Sequence, residues 1–253
     1  MTIGDVARYV STLITYKIKN NNMTDLPGKA IYDRHFNKSR KKLFVHDTFG
    51  PKVEMPVSYY FRTYNQMPEL EKKALQLCEG KILDIGAAAG SHSLELQKNG
   101  KDYIALEISP SAFEVMKKPG IKKIITADFF QYNKEKFDTL LLLMNGIGIC
   151  GSLQGFRKFL SHAKTLLNEN GKIIFDSCDI SYMYEDGEVI PENRYYGEVS
   201  CMYEYDKALT EPFEWLYLDP DTLKQIAKEE NWQVDIVMED ENDQYLAVMT
   251  IKN

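Results

Sequence analysis

Cysteine is sparse: four residues, at 78, 150, 178 and 201, in a chain of 253. Thiols so few and so far apart do not make a disulfide scaffold, and they read as free and buried in a reducing compartment. No C-x-x-C occurs and no two histidines stand four apart, so no resident metal is expected. Long apolar runs are also missing. No uncharged stretch approaches the roughly 18 residues of a membrane span. The opening MTIGDVARYVSTLITYKIKNNN is not a secretory signal, because Asp5, Arg8, Lys17 and Lys19 interrupt it. Its Ile3, Val6, Val10, Leu13, Ile14 and Ile18 instead predict an amphipathic helix. Basic excess is lacking too: the formal net charge is −6, which argues against nucleic acid as the main partner. There is no internal repeat and no low-complexity tract. These absences leave a folded cytoplasmic protein with no membrane contact and an oligomeric state the sequence does not reveal.

What is present is an alternation. From about residue 81, short apolar runs (KILDI, YIALEI, KKIITA, FDTLLLLM, GKIIFDS) are separated by helical patterns near 92–99, 110–118, 131–135 and 153–168. Continuous rather than alternating apolar strands suit a parallel sheet buried on both faces. The βαβαβ order predicts an α/β, doubly wound, mostly parallel seven-stranded sheet with right-handed crossovers. Two terminal strands, WQVDIVM and YLAVMTIK, joined by the acidic turn MEDENDQ, predict an antiparallel C-terminal hairpin. RYYGEVSCMYEYD (194–206) and EPFEWLYLD (211–219) read as an inserted antiparallel β pair, within an insertion over about 179–218. A helix follows over 220–231, capped by Asp219. Residues 1–60 lack the alternation and are expected to form an N-terminal helical cap, with the core spanning 61–253. Within that cap, residues 29–42 hold six Lys/Arg against one Asp. A solvated helix face explains this run; docking of an anionic substrate or RNA is the sharper alternative.

The chemistry gathers at LDIGAAAGSHSL. Gly86 and Gly90 stand where the chain must turn from strand to helix and a ligand can approach without meeting a Cβ. The string is G-A-A-A-G-S, so the G-x-G-x-x-G of a dinucleotide site fails at its second glycine, and Ala88 disfavours a diphosphate. A literal G-x-G-x-x-G, Gly146 to Gly151, follows the fourth strand instead of the first and has no acid about 20 positions on. Three acids lie in register at strand ends. Asp84 precedes the turn and suits a ligand ammonium, Glu107 suits the two hydroxyls of a ribose, and Asp128 suits an adenine amino group.

At these residues the chain resembles the class I S-adenosylmethionine-dependent methyltransferases. LDIGAAAGSHSL is similar to their first motif, with Ala88 in place of the central glycine. The resemblance implies S-adenosylmethionine as cofactor and S-adenosylhomocysteine as product. It also implies a cofactor site made of Asp84, Gly86, Ala87, Ala88, Gly90, Glu107, Ile108, Asp128, Phe129 and Asn145. The fourth-strand motif is Met144-Asn145-Gly146 and not [DNS]-P-P-[YFW], which points away from base and glutamine methylation toward a small-molecule acceptor.

Methyl transfer from a sulfonium is an in-line displacement, and holding the reactants aligned and dry can supply about 7–11 kcal/mol of the barrier. A catalytic base is needed only when the nucleophile arrives protonated, so no catalytic residue is assigned. His92, at a helix N-terminus that disfavours imidazolium, is a packing residue before it is a base. His35, His46 and His162 have no assignable partner. Substrate contacts are expected from Tyr59, Tyr60, Arg62 and Tyr64 in the cap junction and from Tyr195 and Tyr196 after Arg194, an aromatic set able to box a methyl group or a cationic amine, with an arginine able to pair with a carboxylate. An NAD(P)-dependent oxidoreductase, or a cofactor-binding protein without turnover, stays open beside the methyltransferase.

Overall fold

The computed structural model describes residues 25–184 and 190–252, and the amphipathic helix expected over residues 1–22 lies outside them. The chain begins with α1 (Leu26–Phe36), capped by the Asp25 side chain, then β1 (Leu43–His46) and β2 (Val53–Met55). Two 3-10 turns, Val57–Phe61 and Tyr64–Gln66, lead into α2 (Glu69–Leu77). The alternating core follows as β3 (Lys81–Ile85), α3 (Ser91–Lys98), β4 (Asp102–Glu107), α4 (Pro110–Lys117), β5 (Ile124–Thr126) and β6 (Phe137–Leu142). Then come α5 (Leu153–Leu166), β7 (Leu167–Cys178), β8 (Glu198–Tyr205), β9 (Ala208–Leu209) and β10 (Phe213–Leu216). The chain finishes with α6 (Pro220–Glu229), β11 (Trp232–Glu239) and β12 (Gln244–Ile251).

The large sheet has the order β11-β12-β7-β6-β3-β4-β5. Its five β3–β7 strands run parallel, and β12 and β11 close it antiparallel, as the sequence pattern predicts. Both faces are covered. Leu83, Leu140, Phe159, Phe175 and Trp232 fill one side, and Ile82, Leu96, Ala105, Leu141 and Ile174 the other. Helix starts follow side-chain chemistry: Ser109 caps α4, Ser152 caps α5 and Asp219 caps α6, and Pro110 and Pro220 occupy first-turn positions that need no N–H donor.

The second sheet corrects the sequence reading. The inserted β8 pairs antiparallel with β10, and also with β1, which pairs with β2; β9 hangs on β8. The cap is therefore not purely helical: it contributes two strands to the same sheet as the insertion. LFVH is only four residues long and follows a basic run, too short to show a period. Helix α1 ends at Phe36, so the basic stretch is not one helix face. Lys29 pairs with Asp33, Lys41 with Asp206 and Lys42 with Glu54, which spends much of its charge within the protein. The helix expected over 131–135 is a single 3-10 turn at Phe129–Gln131. Among the described residues no helix is long and apolar enough to cross a membrane.

Candidate active site

The turn after β3 is bound to β4 by its backbone. Gly86 and Ala87 both donate their N–H to Leu106 O, at 2.9 and 3.1 Å. Gly86, Ala88 and Gly90 all have positive φ, +73°, +50° and +82°. The two glycines serve different ends. A Cβ on Gly90 would lie 2.2 Å from Ile121 Cδ1, so that glycine permits helix packing. A Cβ on Gly86 would meet no protein atom within 4 Å and would enter a cavity that Gly86 lines. Ala88 holds a left-handed conformation that costs an L-residue about 1–2 kcal/mol, and its N–H donates to Glu107 Oε2 at 2.7 Å.

Glu107 ends β4 with both carboxylate oxygens engaged, Oε1 accepting the Ser109 N–H at 2.8 Å. Burial pushes its pKa up, and the N–H donors of Ser109 and Ala88 pull it only partly back. Each oxygen keeps a lone pair for a ligand hydroxyl. Two cavities meet here. One, of about 490 Å³, is lined by Tyr60, Ala88, Glu107 and Ser109; the other, of about 300 Å³, by Gly86, Asp128, Phe129 and Phe130. Ile108, Tyr203 and Phe213 line both. Ile108 is 58% exposed, an apolar side chain left bare at the mouth of this groove. Asp128 caps its 3-10 turn by accepting the Phe130 N–H at 2.9 Å, and it lines the groove as well. Phe129 is buried against Phe159 and His162. A cradle without a Cβ, a buried acceptor at the end of β4 and an apolar wall fit an adenosine-bearing ligand.

The roof comes from the insertion. Tyr203 stacks on Phe213 at 4.9 Å, and Trp215 follows on the same face of β10. This also explains the second glycine run. A Cβ on Gly148 would stand 2.1 Å from the Trp215 indole, so that glycine lets β10 lie close and cradles no phosphate.

A further cavity, of about 400 Å³, opens at the ends of β6 and β7 among Tyr59, Arg62, Glu71, Asn145, Asp176 and Tyr217. Met144 and Asn145 are both left-handed, at φ +61° and +54°, a strain that positions Asn145. The Asn145 N–H donates to Asp176 Oδ1 at 2.9 Å, and its side-chain oxygen accepts from Ser177 Oγ at 3.1 Å. Arg62 is ion-paired with Glu71 Oε1, and Glu71 Oε2 meets His92 Nε2 at 2.9 Å. Burial lowers the His92 pKa, but the hydrogen bond to Glu71 and the charges of Asp84 and Glu71 outweigh it and leave it raised. That reverses the effect expected from its helix N-terminus. Burial pushes Asp176 up to about 7, with the Asn145 N–H opposing and the Glu71 charge adding.

The other expected residues lie as follows. Asp84 is buried, accepts from Ser93 Oγ at 2.5 Å and lines none of these cavities. Arg62 lines the 400 Å³ cavity, although its guanidinium already has Glu71 as a partner. Tyr59 sits beneath it at 5.2 Å, while Tyr60 donates to Met55 Sδ and Tyr64 accepts from Gln76. Tyr195 and Tyr196 are brought to none of these cavities: their hydroxyls donate to Asp219 at 2.5 Å and Asp179 at 2.7 Å, which binds the insertion to the core. His46 meets Glu204, His162 meets Phe129 O, and His35 packs on Phe36. Asp176, Glu71, Tyr203 and Phe213 escaped the sequence reading. Asp176 had a signal, since it is an acid near the carboxyl end of a parallel strand, like Glu107.

The sequence pattern of a family described as a methyltransferase domain matches residues 57–236. A solved S-adenosylmethionine-dependent methyltransferase from Bacteroides fragilis, in complex with S-adenosyl-L-homocysteine, is 35% identical over 92% of this chain and 98% of its own, with a TM-score of 0.84. A second such enzyme, from Clostridium acetobutylicum ATCC 824, shares the fold at 14% identity over 89% of this chain and 98% of its own, with a TM-score of 0.56. The glycopeptide N-methyltransferase MtfA complexed with S-adenosylmethionine does so at 14% identity over 76% of this chain and 88% of its own, with a TM-score of 0.53. No curated protein matches the chain significantly. Strand order, terminal hairpin and first-motif turn agree with these likenesses, and the chain belongs to the class I S-adenosylmethionine-dependent methyltransferase family.

Proposed function

We propose that this chain transfers the methyl group of S-adenosylmethionine to a small molecule seated in the 400 Å³ cavity beside β6 and β7. The observation that carries this reading is a shared roof. Val199 and Tyr217 line that cavity, and Tyr203, Phe213 and Trp215 line the adjoining groove. Alternate residues of a strand face one way, so these odd-numbered positions of the β8–β10 ribbon form one face over both spaces. Val199 and Tyr203, four residues apart, span about 13 Å along a strand. A cofactor in the groove and an acceptor in the cavity would thus be closed under one surface.

In this reading Glu107 accepts the ribose hydroxyls, Asp128 faces the adenine amine, and Ile108 and Phe129 flank the ring. Gly86, Ala87, Ala88 and Gly90 shape the turn, and Asp84 holds it through Ser93. Asn145 lines the acceptor cavity at the end of β6. The cofactor supplies an electrophilic methyl on a sulfonium; the protein supplies alignment and exclusion of water. Cavity volume favours a small acceptor, since about 400 Å³ falls within the usual range for small-molecule sites. The test is calorimetric titration of the purified protein with S-adenosylhomocysteine and, separately, with NADH. Binding of the first and not the second is expected. Failure of S-adenosylhomocysteine to bind would sink the reading.

A further inference from the structure

The acceptor cavity has more acid than base. Its cation is Arg62, already spent on Glu71, whose second oxygen is taken by His92. Two carboxylates remain, Asp47 and Asp176. Asp47 is half-buried and accepts the Phe49 N–H at 2.8 Å. Asp176 is 8% exposed, receives the Asn145 N–H on Oδ1, and is ion-paired with no cation among the described residues. A buried carboxylate with no paired cation is costly, and a ligand that brings a positive charge recovers that cost. Phe49, Tyr182 and Tyr217 add aromatic surface to the same walls, which suits an ammonium group as well.

We propose that the methyl acceptor is a primary or secondary amine that arrives as its ammonium, and that Asp176 is the carboxylate that binds it and takes its proton. The inference rests on the methyl-transfer reading and adds the acceptor atom, nitrogen. The proton passes from the ammonium to a carboxylate oxygen of Asp176, leaving the amine neutral with a free lone pair. That pair forms the new N–C bond to the methyl as the C–S bond breaks, and the bonding electrons stay on sulfur. The positive charge moves from sulfur to the methylated nitrogen, so charge and atoms balance. Glu71, held by Arg62 on one oxygen and by His92 on the other, does not compete for the ammonium, which leaves Asp176 as the acceptor.

The groups facing Asp176 are Glu71 from α2, His92 from α3, Arg62 from the segment before α2 and the Asn145 N–H after β6, while Tyr245 of β12 lies on the opposite face of the sheet. With its pKa at about 7, part of Asp176 is protonated at neutral pH, and an arriving cation expels that proton. The test uses protein saturated with S-adenosylhomocysteine, titrated by calorimetry with 2-phenylethylammonium, 2-phenylethanol and 3-phenylpropionate. The ammonium is expected to bind roughly tenfold tighter than either of the others. Repeating the titration in two buffers of different ionisation heat should show a proton released near pH 7 by the native protein. Asp176→Asn, which keeps an acceptor for the Asn145 N–H, should lose roughly tenfold in ammonium affinity and all proton release, with S-adenosylhomocysteine binding unchanged. An ammonium that binds no tighter than the alcohol or the carboxylate overturns the proposal, and so does a titration in which none of the three binds. Unaltered ammonium binding by Asp176→Asn overturns it as well. S-adenosylhomocysteine binding to the native protein is measured first, because its failure removes the methyl-transfer reading itself.

Discussion

The Ala88 N–H donates to Glu107 Oε2 at 2.7 Å, so the residue that breaks the glycine pattern and the acid that ends β4 form one device. The opposite oxygen accepts the Ser109 N–H, which fixes the carboxylate between two strand-end loops. Glu107→Gln must place an amide NH₂ against one of those two donors. Leaving a buried donor unsatisfied costs about 1–3 kcal/mol. Thermal melts should show that loss, and calorimetry should show S-adenosylhomocysteine binding weakened by roughly tenfold or more. A variant that binds as tightly as the native protein would remove Glu107 from the cofactor site.

Ala88→Gly tests whether the departure from the pattern matters. At φ +50° the substitution relieves about 1 kcal/mol of left-handed strain. It also adds about 0.4–1 kcal/mol of unfolded-state entropy, so the two effects nearly cancel. The N–H to Glu107 is retained whichever residue stands there. Unfolding midpoints and S-adenosylhomocysteine affinity should therefore both stay close to native values. A large gain in affinity on substitution would mean that the Ala88 methyl intrudes on the ligand.

Gly86→Ala separates binding from folding. The added Cβ touches no protein atom within 4 Å, so the fold bears only the backbone strain of φ +73°, about 1–2 kcal/mol. The methyl group projects into the groove. Cofactor affinity should therefore fall by roughly tenfold or more, further than the change in melting accounts for. Equal losses in both would place Gly86 in folding alone.

The legibility of these features follows from how local each signal is. The placement of Glu107 and Asp128 beside the groove could be read because strand ends in a parallel sheet are marked by apolar runs, and one turn fixes their register. The same strand-end rule extends to Asp176 in KIIFDSC, which no familiar motif marks. Glu71 was hidden for a different reason: on a helix rich in Glu and Lys it looks like a solvated charge, and only tertiary contact with Arg62 and His92 buries it. The β1–β2 contribution is illegible because strands of three and four residues show no period, and the pairing of β1 with the distant β8 leaves no local mark. Tyr195 and Tyr196 misled because aromatic density marks a core as readily as a binding surface. Here their hydroxyls reach Asp219 and Asp179.

Gly148→Ala should damage the roof. Its Cβ would sit 2.1 Å from the Trp215 indole, and Gly148 itself is buried, so strand and side chain must move together. Overpacking of this kind costs about 1–3 kcal/mol or more. Melting temperature should drop, tryptophan emission should shift as Trp215 is displaced, and S-adenosylhomocysteine affinity should fall because Trp215 lines the groove proposed to hold it. An unperturbed emission spectrum with native affinity would show that β10 tolerates the displacement.

Asp176→Asn should stabilise the protein, and the gain should depend on pH. The folded-state pKa is raised to about 7 from an ordinary 3.8, so between those values the folded protein holds a proton that the unfolded chain has released. Stability from this group is therefore fully present below about pH 4 and is lost as pH rises through 7. Asparagine does not ionise and escapes that loss. At about 1.4 kcal/mol per pKa unit, the interval caps the advantage of the variant near 4 kcal/mol at pH 8, shrinking toward zero near pH 4. Urea unfolding midpoints of both proteins across that range give the difference directly. A difference that does not change with pH would mean that Asp176 is not held protonated by its surroundings, and would take away its suitability as a proton acceptor near neutrality.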